Sequence, residues 1–154
     1  MRQLNTKGLK MTFSKSLLFS FLSILAFSTN AQVVATCGTS SGYSYYVEGG
    51  YVEKSKAGFS EDGISSGSLQ LVINGDDADI IVIDATNTSK SAKEQGGTVV
   101  AVKNGSNIGV AIFYEGVIEN YVFRIDTSEV TFSKATFGYM LDKHSVFKAA
   151  CVFE

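Results

Sequence analysis

The sequence predicts an all-β domain, an antiparallel meander of eight to nine strands that closes as a β-sandwich or β-barrel. Three observations lead there. Short runs rich in Val, Ile, Phe, Tyr and Thr are cut at close intervals by Gly, Asn, Asp and Ser. Sustained helical periodicity is absent. The connections are short and carry hairpin-type residues, which suits neighbouring strands that run antiparallel.

The elements follow in order. Residues 43–47 form the first strand, with 51–53 continuing it after Gly49-Gly50, and 55–67 read as loop. Residues 68–73 meet Asn74-Gly75, a strong hairpin signal, and 79–84 return. Ile80-Ile81-Val82-Ile83 is apolar on both faces, as in a central strand. The polar stretch 86–97 reads equally as loop or as one short helix over 89–95, capped by Ser89 and ended by Gly96. Strands follow at 98–103, 108–114, 117–125, 129–134 and 145–153. Phe113, Phe123, Phe132, Phe137 and Phe147 indicate a filled core rather than a wide cavity.

The first thirty residues have a different character. Four basic residues (Arg2, Lys7, Lys10, Lys15) precede the apolar run LLFSFLSILAF at 17–27, and small residues follow at 29 and 31. That order is a secretory signal with cleavage after Ala31, starting at Met1 or Met11. The run is about half of what a membrane span needs. The division is therefore residues 1–31 as signal peptide and 32–154 as one secreted β domain, periplasmic or extracellular. Without the leader, nine basic residues face fifteen acids, a net charge of −6. Such a balance argues against nucleic acid and against stable membrane association once the signal is gone.

Cys37 and Cys151 stand near the two ends of that domain. In an oxidising space an even count pairs them. The rival is lipidation of Cys37, which Thr36 and the polar 28–30 fit poorly.

Several residue groups invite chemistry. Gly63-Ile64-Ser65-Ser66-Gly67 matches G-x-S-x-G, with Asp84 or Asp126 and then His144 in the Ser, Asp, His order. That motif needs a strand before and a helix after, and neither is expected here. Glu115 and Glu119 flank one turn as a carboxylate pair, with exposure expected for both. Asp76, Asp77 and Asp79 gather acids around a turn, a calcium candidate without the order of an EF-hand loop. Tyr43, Tyr45, Tyr46 and Tyr51 offer flat faces with hydroxyls, which suits a contact surface. Tyr43 and Tyr45 share one strand face and Tyr46 the other. No cofactor or firm metal site is read from the chain.

The expectation is a non-enzymatic binding or interaction module, such as a periplasmic or extracellular inhibitor or protective protein. Its acid excess suits a cationic protein or a cell-envelope component as partner. A small-ligand carrier with a barrel cavity, or a structural component of a surface or matrix, are the alternatives.

Overall fold

The computed structural model describes residues 31–154 apart from residue 139. Residues 1–30, nearly all of the expected signal peptide 1–31, lie outside the described residues. Among those described there are ten strands and no α-helix. They are β1 (Gln32–Tyr46), β2 (Gly58–Ile64), β3 (Ser68–Asn74), β4 (Asp77–Ile83), β5 (Ser89–Ser91), β6 (Thr98–Asn104), β7 (Asn107–Tyr114), β8 (Val117–Arg124), β9 (Glu129–Thr136) and β10 (Lys143–Phe153).

All pairings are antiparallel and belong to one sheet in the order β5-β4-β3-β1-β10-β9-β8-β7-β6, with β2 off this path on β1. The sheet curls until β4 and β6 approach within 8 Å, yet no ladder joins them. The result is an open half-barrel whose concave side carries the core. Turn chemistry sets the hairpins. Gly75, Gly105 and Gly116 take left-handed backbone at the β3–β4, β6–β7 and β7–β8 turns.

β1 is the organising element. Its first half pairs with β3, its second half with β2, and β10 runs along its other edge. One register shift makes this possible. Cys37 pairs with Cys151 and Ser40 with Ala149, so β1 carries an extra residue between them. A bulge of this kind bends the strand and increases its twist. The two halves then serve different neighbours.

The inner face follows the pleat of each strand. Leu71, Ile80, Ile112, Phe123 and Val130 are fully buried, with Ala35, Cys37, Ala149 and Cys151 beside them. Phe123, Tyr121, Phe132 and Phe147 form a row of rings, each pair of neighbours 5.1 to 6.3 Å apart at their centroids.

Three expectations need correction. The first strand begins at Gln32, not at residue 43, and adds two strands' worth of pairing. The region 55–67 holds β2 rather than loop. Its small and acidic residues carry no apolar alternation, and its extended state comes from pairing with β1. No helix spans 89–95. Ser89–Ser91 is β5 on the edge of β4, and Ser91, not Ser89, accepts the Glu94 N–H in the single turn that follows. Ala92 donates its N–H to Ile80 and is buried, so tertiary packing outweighs the weak local helix signal.

Candidate functional site

Cys37 and Cys151 form a disulfide between directly paired positions of β1 and β10. The two ends of the domain are thus joined in the middle of the sheet, and no described cysteine is free. No helix among the described residues is long and apolar enough to cross a membrane.

The convex face carries the first candidate surface. Tyr43 pairs with Val146 and Glu61, and Tyr45 with His144 and Phe59. Cross-strand partners share a face, so these six side chains lie together outside the barrel. Tyr43 is 58% exposed, Tyr45 41%, Phe59 82% and Val146 62%. The Tyr45 and Phe59 rings meet edge to face at 5.0 Å. Three aromatic rings and a valine left in water on a sheet pinned by ladders on both sides form a concentrated apolar patch. Of the four tyrosines singled out by sequence, Tyr46 does not belong to it. Tyr46 points to the concave side, with the Lys143 ammonium 5.4 Å from its ring centre. Tyr51 is exposed in a bend beyond the end of β1, tied by its N–H to the Met140 carbonyl at 2.8 Å. Phe59, the most exposed ring of the patch, was hidden in the stretch that reads as loop.

On the concave side, beyond Phe147, a polar cluster closes the sheet. Ser44 Oγ donates to Asp62 at 2.6 Å and lies 2.6 Å from Ser145 Oγ. Ser44 has one proton, so Ser145 donates to Ser44. Lys143 Nζ reaches the same Asp62 oxygen at 3.1 Å. The Ser44 hydrogen bond, with help from Lys143 and the Gly63 N–H, holds the Asp62 carboxyl below its usual range despite partial desolvation. Ser44 and Ser145 are buried and every polar atom is paired, so the cluster is a fastening across β2, β1 and β10 and not an accessible nucleophile.

The third region is the mouth of the half-barrel. Glu119 is buried, contrary to the expected exposure, because β8 turns it inward. Its carboxylate accepts from Tyr121 OH at 2.7 Å and pairs with Lys134 Nζ at 2.8 Å. Burial, then the Glu119 charge and hydrogen bond, push the Tyr121 phenol far above its ordinary value. Burial, with Glu119 and Asp79 nearby, raises Tyr114 to about 12. Both phenols are hydrogen-bond donors at any physiological pH. A cavity of about 480 Å³ opens here, lined by Val82, Lys90, Gln95, Tyr114, Glu119 and Lys134 among others. A second, apolar cavity of about 290 Å³ adjoins it through Val82, walled by Ile64, Leu69, Ile83, Tyr121 and Phe132.

The remaining sequence candidates come apart. Ser65 sits in the β2–β3 turn, whereas His144 lies on the convex face beside Tyr45. Tyr45 pairs with Phe59, six residues before Ser65, which is about 20 Å along β2. Asp84 is engaged by Thr86 and Thr88 in its own loop, and Asp126 accepts from Thr127. No nucleophile elbow exists, since a turn into β3 follows Ser65 and not a helix. Two acids of the calcium candidate, Asp77 and Asp79, are engaged by other groups. Asp77 is bound to Lys93, and Asp79 to the Ser91 hydroxyl and the N–H groups of Ile80 and Lys93. Among the described residues no three His, Cys, Asp or Glu side chains gather to hold a metal.

Comparison of the chain with protein-family models, with characterised proteins and with solved structures finds no match.

Proposed function

We propose that this chain is an exported, non-enzymatic binding module whose convex aromatic face docks on a cationic protein. The observation that carries the reading is the exposure of Tyr43, Tyr45, Phe59 and Val146 in one patch, with Glu61 in register with Tyr43. Tyrosine and phenylalanine faces attract Arg and Lys through the ring quadrupole, and a carboxylate in their midst adds a charge partner. The acid excess of the domain supplies long-range steering toward a basic surface. Export is part of the same reading. The leader-like residues 1–31 and the disulfide both support it, and protein recovered from its native host is expected to begin at Gln32 by mass spectrometry.

The test is titration against a panel of cationic secreted hydrolases, lysozymes first, at low and high salt. The expected result is one or more complexes that weaken with salt and lose about ten-fold or more in affinity on Tyr45→Ser with Phe59→Ser. Absence of binding across the panel, or binding indifferent to both substitutions, would overturn the reading.

A further inference from the structure

The geometry points to a second, separate site: the mouth of the half-barrel binds a small amphipathic molecule whose head carries no net charge. It does not depend on the convex face, since the two surfaces lie on opposite sides of the sheet.

Val82 departs from the burial of its strand. Along β4, Ala78, Ile80 and Val82 alternate onto the concave side. Ala78 and Ile80 are buried, as inward residues are, but Val82 is 41% exposed. Ile64 of β2 is likewise open, in the register of Ser40 and Asp62 that faces inward. The protein thus leaves two aliphatic side chains uncovered inside its own curvature. They form one rim of the apolar cavity, and Tyr121 and Phe132 form the opposite wall. A slot of about 290 Å³ between aliphatic and aromatic walls takes the apolar body of a small ligand.

The adjoining cavity supplies what a head group needs. Lys90 pairs across the strands with Val82 and so shares its face. Tyr114 OH stays protonated and donates. Lys134 spends one donor on Glu119 and keeps others for a ligand. Glu119, with lone pairs beyond those taken by Tyr121 and Lys134, accepts. The charges that line this cavity are Lys90 and Lys134 against Glu115 and Glu119, which balance. A head with net charge finds no net counter-charge there and is desolvated without return. Hydroxyl or amide groups find both donors and acceptors. The class is therefore a neutral, hydroxyl- or amide-headed amphiphile, with its tail beside Val82 and Phe132 and its head beside Tyr114 and Glu119.

Three probes with the same chain length separate the alternatives: monooctanoylglycerol, octanoate and octylamine. Calorimetric titration is combined with methyl NMR shifts at Val82 and Ile64. The glyceride is expected to bind at least about five-fold more tightly than either charged probe and to shift both residues. Val82→Phe, which fills the slot from its rim, is expected to weaken the glyceride about ten-fold or more. Ile64→Ser on the other strand is expected to act in the same direction, and melting curves of both variants show whether the fold is retained. Lys90→Glu is expected to move preference toward octylamine. No shift at Val82 with any probe at about 1 mM, tighter binding of a charged probe, or indifference to both rim substitutions would overturn the site. Loss of hydrolase binding at the convex face would leave these results unchanged, so the two readings fail separately.

Discussion

At the residue scale, Asp62 shows how one side chain serves several strands. From β2 it takes hydrogen bonds from Ser44 on β1 and Lys143 on β10, and Ser145 donates into the chain behind Ser44. Its carboxyl is held below the ordinary 3.8 chiefly by the Ser44 hydroxyl. A depressed carboxylate stabilises the fold above its unfolded value, and that contribution is lost as pH falls through the folded one. Thermal melting from pH 7 to pH 2 is therefore expected to show Asp62→Asn less stable at neutral pH and no worse than wild type at the acid end. A stability gap that stays constant across the range would refute this account. Spacing in the sequence gives no hint of such a cluster. Residues 44, 62, 143 and 145 converge only because β2 and β10 flank the same half of β1.

At the element scale, β1 and β10 lie too close for a side chain at position 42. A Cβ there would fall 1.9 Å from the Val146 carbonyl oxygen, so Gly42 sets how tightly the two central strands approach. Gly38, four residues earlier, has nothing within 4 Å of the same point. Gly42→Ala is expected to cost about 1–3 kcal/mol or more, while Gly38→Ala stays within about 0.5 kcal/mol of wild type. Urea unfolding of the pair measures the difference, and equal effects would show that the close approach is unimportant. Strands β3, β4 and β6 to β10 were legible because Val, Ile and Phe alternate between turn residues. β2 and β5 were not. Gly58, Ser60 and Asp62 have no apolar rhythm, and Ser89–Ser91 is three residues on an edge. Their extended form is a property of the neighbour each pairs with.

At the scale of the whole molecule, a single bond encloses most of the described residues. Cys37 and Cys151 are 114 residues apart, and the strands that bear them pair along most of their lengths. A loop of that size is worth about 4–5 kcal/mol in the chain-entropy model. Cys37→Ser with Cys151→Ser is expected to lower the unfolding free energy by about that amount, read in urea without reductant. Wild type treated with reductant is expected to match the variant. A loss below about 1 kcal/mol would mean that the β1–β10 ladder, not the bond, holds the ends. The exposed rings come together only at this scale. Tyr43 and Tyr45 were legible as a pair on one face. Their companions Phe59 and Val146 come from distant parts of the chain, and only strand order brings them beside the tyrosines.

Local pattern determined the class: alternation with turn residues makes strands, and two cysteines near the domain's ends make one bridge. The tertiary structure alone decided how the sheet curls, where β1 changes partners, and that Glu119 faces inward while Val82 remains uncovered. Strand identity is written in neighbouring residues, because side-chain period is a local property. Curvature and burial depend on which distant strands share a ladder, and that is settled by the packing of the whole sheet.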